Sequence, residues 1–301
     1  MQPHPHSTRR LIRIVFSLGI ALFLLGALLW STTGAGFAAG SLRPRGVDVS
    51  GAISQDTTWT LANSPYVLTG DVTVNAGVTL TIEPGVVVMG WSNVELQVLG
   101  HLEAVGSESA PITFTSVSDS RPGQWTGLVF DGGTGNLVHT TVRYGGDHSN
   151  SVLSYRQGSN IAMRNVLTGE VRIENSAIIS QNNNLNYYGN YNGPEAADFG
   201  MYVENSRVVV SDTLFSGNGN YTSSDYALYA TGTSTVTVYR ARFIGNIGNG
   251  IHLADGSQVA ALIVSSAFVN NGSNGIYNDT TSQIDLRSNW WGDVSGPGGT
   301  G

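Results

Sequence analysis

Asp212-Thr-Leu-Phe-Ser-Gly-Asn218, Arg240-Ala-Arg-Phe-Ile-Gly-Asn246, Ser265-Ser-Ala-Phe-Val-Asn-Asn271 and Arg287-Ser-Asn-Trp-Trp-Gly-Asp293 are four versions of one phrase. Their aromatic residues Phe215, Phe243, Phe268 and Trp290 recur at steps of 28, 25 and 22 residues. A period in the twenties, built from short β-type runs without helical spacing, marks a solenoid in which each repeat supplies one layer. Ile179 extends the aromatic column one layer back, and Asn182, Asn218, Asn246 and Asn271 form an amide column at the turn that follows. Met201, Leu228, Ile251 and Ile276 make a second apolar column, at steps of 27, 23 and 25. Equivalent strands in successive layers pair about 4.8 Å apart, so stacked apolar residues fill the interior and stacked amides bond along the axis.

The same grammar runs back to the amino-terminal half. Asp71–Val74, Val78–Ile82, Val86–Val88, Val94–Val98 and Ile112–Thr115 alternate apolar residues with Thr, Glu or Gln. One side of each run therefore faces a core and the other faces water. Asn75-Ala-Gly77, Glu83-Pro-Gly85 and Ser109-Ala-Pro111 punctuate them as turns. Composition agrees: 39 Gly and only 12% charged residues suit short strands and tight turns better than helices. The expected fold is all-β, a parallel β-helix over residues 60–301, preceded by a polar lead-in over 39–59. The Gly-rich end, Gly296-Pro-Gly-Gly-Thr-Gly301, holds no amphipathic cap for the last layer, so a truncated end or a further covering domain is expected.

The first residues read as an address. Arg9, Arg10 and Arg13 precede an apolar run from Ile14 to Trp30, and Gly36-Phe37-Ala38 supplies a small-residue cleavage site. Residues 1–38 are thus expected to be a signal peptide, or an anchor helix if uncleaved, and the protein to be secreted or displayed at the cell surface. All 14 basic residues are Arg, and 11 of them face 21 acids after Arg13. Such an acidic body excludes nucleic acid as a natural partner, and leaves the membrane only to the amino-terminal segment. The absence of cysteine removes disulfides, thiolate metal sites and cysteine nucleophiles.

The stretches Gly77–Val88, Leu99–Ser116, Gly123–Gly133 and His139–Gly146 resemble the opening coils of bacterial secreted right-handed parallel β-helix repeat proteins of the pectate-lyase-like superfamily. The closing Asn289-Trp-Trp-Gly-Asp-Val-Ser-Gly-Pro297 resembles a motif of the same group. The resemblance implies the right hand of the helix and an extracytoplasmic life. It implies no single reaction, because the group spans carbohydrate-active enzymes and adhesin-like proteins. The Asn-Thr-Asp, Asp-Asp and Gly-His-Gly strings of its polygalacturonases are missing, and the chain has no Lys to serve as a lyase base. Arg143, Arg164 and Arg172 are expected to pair with neighbours such as Glu170 and Glu174, and Arg240 with Asp212 one layer away. His101, His139, His148 and His252 stand apart in sequence, and nothing matches the calcium-binding Gly-Asp nonapeptide pattern, so no cofactor or obligate metal is expected.

Extra residues gather at one turn. Ile179 and Phe215 are 36 residues apart, against 28, 25 and 22 afterwards, so roughly ten residues are inserted after Asn182. Loops 145–151, 182–199 and 219–225 should therefore share one flank. They carry Asp147 and His148; Tyr187, Tyr188, Tyr191, Glu195 and Asp198; and Tyr221 and Asp225. Tyrosines beside carboxylates suit a sugar, whose C–H faces pack on rings while its hydroxyls donate to acids. The leading functional reading is a binding module for surface glycan, polysaccharide or a protein partner, with Tyr187, Tyr188, Tyr191, Glu195, Asp198, Tyr221 and Asp225 as ligand-binding residues. The alternatives are a polysaccharide lyase or glycoside hydrolase using Asp147, His148, Asp198 or Asp225, and a structural stalk.

Overall fold

The computed structural model describes residues 46–147, 158–180, 199–219, 225–254, 256–293 and Gly296. They form a parallel β-helix whose coils lay strands on three faces, the last described coil adding the strand Ile276–Asn278 and single bridges at Asp285 and Trp290. The first face stacks Glu95–Val98, Gly127–Asp131, Ser159–Arg164, Phe199–Glu204, Tyr226–Thr231, Asn249–Leu253 and Ile276–Asn278. The second is an 8-stranded sheet from Thr57–Trp59 to Ala260–Val264. The third runs from Val87–Gly90 to Ala267–Val269, and the long strand Tyr66–Val74 joins it to the first face in one 16-stranded sheet. Parallel pairing begins at Val47–Ile53, within the stretch read as a lead-in, and every ladder between named strands is parallel. Among the described residues the only helix is the 3-10 turn Leu61–Asn63.

Period-two alternation puts one side of each strand inside. On the second face, Val208 and Val210 lie under Val236 and Val238, all fully buried. On the first face Leu96, Leu128, Ile161, Met201, Leu228, Ile251 and Ile276 pair in unbroken register, so the apolar column read from the sequence is present. On the third face Phe114, Val142, Ile178, Phe215, Phe243 and Phe268 do the same. The Phe215 and Phe243 rings stack at 4.6 Å, and Phe243 and Phe268 at 5.0 Å. Offset stacking at this spacing adds to burial of the rings, about 0.5–1.5 kcal/mol per pair.

Two members of the expected aromatic column are displaced by one residue. Ile178, not Ile179, pairs with Phe215 and is fully buried. Trp290 pairs with Ala267 and faces outward at 47% exposure, while Trp291 stacks on Phe268 at 5.2 Å. The cause lies at the preceding corner. His139, Asn175, Asp212, Arg240, Ser265 and Ser288 each adopt a positive φ there. Counting from those residues aligns Ser288 with Ser265, so Asn289 takes the place of Ser266 and accepts the Ser266 amide at 2.8 Å. That corner carries its own hydroxyl ladder: the Thr140 amide donates to Ser176 Oγ, and the Ala241 amide to Ser266 Oγ.

The amide column at the next corner exists from Asn218 to Asn271; Asn182 lies outside the described residues. Asn218 Nδ2 donates to Asn246 Oδ1 at 3.0 Å, and Asn246 Nδ2 to Asn271 Oδ1 at 2.8 Å. Each also donates to a main-chain carbonyl of an earlier rung, Asn218 to Ile178 and Asn246 to Phe215. One coil back the position is continued by Ser180, whose hydroxyl donates to Asn218 Oδ1 at 3.1 Å. A buried amide with all its groups engaged is costly to remove, because its former partners stay desolvated and unpaired. Asn246→Ala is expected to lower unfolding stability by about 3 kcal/mol, and Asn271→Ala, half-exposed near the end of the ladder, by about 1 kcal/mol. Urea denaturation followed by far-UV circular dichroism will show whether the midpoints fall in that order.

Candidate functional site

The three corners differ in what they tolerate. First-to-second and second-to-third connections include segments as short as 205–206, 212–213 and 240–241. Third-to-first connections run 91–94, 117–126, 144–158, 180–198, 217–225, 245–248 and 270–275. The segments read as loops 145–151, 182–199 and 219–225 therefore leave from and return to this corner. His148, Tyr187, Tyr188, Tyr191, Glu195, Asp198 and Tyr221 lie outside the described residues.

Asp147 and Asp225 are described, and both are buried. Asp147 Oδ2 accepts the Ser92 hydroxyl at 2.6 Å and the Asn93 amide at 3.0 Å. It thus ties the start of one excursion to the short turn of an earlier coil. The Asp225 carbonyl accepts the Asn249 amide at 3.0 Å, which sets the next strand of the first face in register.

Beside this corner the outward side of the first face carries a run of aromatic side chains, of which Phe199, Tyr202 and His252 are buried, Tyr226 and Tyr229 partly buried and Tyr277 exposed, a feature the sequence reading missed. Tyr202, Tyr229, His252 and Tyr277 occupy equivalent positions in successive coils. Phe199 and Tyr226 stack ahead of them, with ring centroids 5.6 Å apart. A simple alternation would put Phe199 on the same side as Met201, yet it touches Tyr202 and Tyr229 at 5.9 and 5.3 Å. Each strand therefore turns two successive residues inward. Ala227 and Leu228 are both fully buried in the core. The partners of that pair are Gly200 beside Met201 and Gly250 beside Ile251. A Cβ on Gly200 would meet Asn218 Cγ at 2.7 Å, and one on Gly250 would meet Phe268 Cδ1 at 3.0 Å. The small residue at this point is required by the crowded interior, and it brings residues on either side of the pair to the outer surface. The available signal was the residue immediately after Met201, Leu228, Ile251 and Ile276 in each repeat.

Along the axis Tyr202 and Tyr229 turn their faces toward each other, while His252 meets Tyr229 edge-on and Tyr277 at a tilt. Tyr202 and Tyr229 stack at 5.6 Å and 9°, and His252 lies 4.5 Å from Tyr226, 5.2 Å from Tyr229 and 4.9 Å from Tyr277. Stacking leaves ring edges and phenol groups, rather than ring faces, to meet a ligand. Burial, with the Glu204 carboxylate second, pushes the Tyr202 phenol up to about 12. Burial raises Tyr229 as well. Both stay neutral and keep a hydroxyl proton to donate across the physiological range.

His252 is the one titratable cation in this column. It is 8% exposed, both ring nitrogens are buried without a hydrogen-bond partner among the described residues, and Asp279 Oδ2 stands 3.9 Å from Nε2. Burial pulls its pKa below the ordinary value of 6.5, outweighing the opposite pull of Asp279. The folded chain then resists a proton that the unfolded chain accepts, so stability is full above pH 6.5 and falls as pH drops below it. Ion-paired acids with depressed pKa values, such as Asp212 and Asp285, lose their contribution only at lower pH, below about 5.

Other polar clusters lie away from this face. On the second face His101 Nδ1 meets Thr134 Oγ1 at 2.8 Å and its Nε2 meets Glu103 Oε2 at 3.0 Å. The order hydroxyl, imidazole, carboxylate resembles a nucleophile with its base, but the Thr134 amide is committed to Gly100 O and offers no oxyanion donor. Arg172 pairs with Glu170 and Glu174 and Arg240 with Asp212, as expected; Arg143 instead pairs with Asp119 and Arg164 with Glu204. Among the described residues, no three acidic or imidazole side chains converge at metal-binding distance.

Between pH 7.5 and 5.0 the melting temperature is expected to fall, and His252→Gln to remove part of that fall; thermal unfolding at both pH values tests this. An unchanged pH dependence in the variant would show that His252 takes up its proton without opposition.

Comparison with protein families agrees with the geometry. A model of the pectate-lyase-like β-helix domain matches residues 51–151, and a model of the right-handed β-helix region matches residues 106–290. No curated protein and no solved structure matches the chain significantly. The stacked parallel faces, the interior columns and the span of these matches together mean that the chain belongs to the right-handed β-helix family.

Proposed function

We propose that the protein is an extracytoplasmic β-helix module that binds a glycan along its first face and the adjoining corner. The observation that carries this reading is the outward column Tyr202, Tyr229, His252 and Tyr277, set beside the corner from which the long connections depart. The phenols of the partly buried Tyr229 and the exposed Tyr277, two coils apart, offer donors and acceptors to sugar hydroxyls, and their ring edges give apolar contact. Tyr187, Tyr188, Tyr191, Glu195, Asp198 and Tyr221 belong to the connections that share this corner, and their chemistry suits the same ligand. The export segment read from Arg9, Arg10, Arg13 and the run Ile14–Trp30 supports a location where such glycans occur. A rigid, regular scaffold carrying variable connections on a single corner is a common basis for recognition.

The test is a polysaccharide panel with the full mature chain, Tyr277→Ala, and the pair Tyr187→Ala/Tyr188→Ala. Tyr277 is 43% exposed, so its loss should leave folding intact. Any glycan retained by the parent should bind at least about tenfold more weakly to one of the variants. Equal retention by all three proteins, or none by the parent, would return the module to a spacer.

A further inference from the structure

The third face carries a groove on its outer side, on a different face from the aromatic column. The groove has a volume of about 520 Å³ and is lined by residues of five successive coils. The floor is the outward column Thr141, Ala177, Leu214 and Arg242, which pair rung upon rung. One wall is the corner of positive-φ residues, where Asn175 and Asp212 form a ridge parallel to the axis. Glu108 and Pro111, from the connection before Ile112–Ser116, complete the amino-terminal end.

The charges of this groove are placed at its two ends. Asp212 is already neutralised: Arg240 Nε and Nη2 donate to its two carboxylate oxygens at 2.8 and 2.6 Å. Arg143, Arg164, Arg172 and Arg287 are likewise paired with acids. Arg242, exposed at the carboxy-terminal end of the floor, has no acidic partner among the described residues, although the body carries a large acidic excess. Glu108 at the opposite end is also exposed and has no basic partner there. Between the two charges lie the apolar Pro111, Ala177 and Leu214, with the Asn175 amide on the rim.

We propose that this groove binds a short extended peptide with free ends, its carboxylate on Arg242 and its amine toward Glu108. A planar guanidinium holds a carboxylate through two parallel donors, and the apolar floor accepts small side chains. Thr141 to Arg242 spans three rungs, about 14 Å at the spacing of paired strands, which about four extended residues cover, and Glu108 stands one coil beyond Thr141 to meet the amine. The opposed end charges select a zwitterion over a neutral glycan chain, which has nothing to place on either.

The test uses tetra-alanine with free termini, titrated into the full mature chain by calorimetry, alongside its carboxy-amidated and amino-acetylated forms. Saturable binding of the free peptide is expected. Amidation or Arg242→Gln should weaken it about tenfold or more, and acetylation or Glu108→Gln several-fold. Both substitutions are at exposed positions, and unchanged melting temperatures will confirm intact folds. The proposal is overturned if tetra-alanine does not bind, if the amidated peptide binds as well as the free one, or if a polysaccharide retained on the first face displaces it. Tyr277→Ala should leave peptide binding unaltered, so failure of the glycan reading and failure of this one give different results.

Discussion

Parallel pairing in register governs this molecule. Once the strand Leu214–Ser216 lies under Arg242–Ile244 with Phe215 beneath Phe243, every other residue of the two coils is placed within a few ångströms of its counterpart. Like then meets like, and the interior becomes a set of columns rather than a jigsaw of unlike shapes. Stacked phenylalanines and stacked asparagines are the two simplest solutions, and both occur on or beside the third face. The amide column also donates to the main-chain carbonyls of Ile178 and Phe215 in the adjoining strands, so hydrogen bonding along the axis continues where the sheets stop.

The same constraint decides where variation is allowed. A residue added inside a strand would turn the following side chains to the wrong side. A residue added at the third-to-first corner only lengthens a connection, at a cost in closure entropy that grows slowly with length. The corner with positive-φ residues is held short in most coils by the hydroxyl ladder of Thr140, Ser176, Ser266 and the Asn289 amide. Function can therefore diverge at one edge of the helix while the other edges keep the stack in register.

Much of this was legible in the sequence because columns preserve residue type. Met201, Leu228, Ile251 and Ile276 were identified from spacing alone, and so were Asn218, Asn246 and Asn271. Ile178 and Trp291 were missed by one position, because coils can differ by a residue between one corner and the next. An alignment anchored on the turn asparagines carries that difference into the strand; one anchored on the positive-φ residues does not. The outward aromatic column was missed for a related reason. Two successive inward residues interrupt the alternation, and the small Gly200, Ala227 and Gly250 look like turn formers rather than packing residues in a linear reading. The groove on the third face was not legible at all, since it joins Glu108 to Arg242 across five coils and depends on which arginines already have partners.

The orientation of the hydrogen bonds has a mechanical consequence. Inter-strand and side-chain ladder bonds both run from coil to coil, parallel to the long axis. Tension along that axis would load them one rung at a time, as in opening a zipper, and coils would peel away singly at modest force. Tension across the axis would instead shear many bonds together. A module of this build resists a load across its axis far better than one along it, so the direction of the load should matter as much to its durability as its core.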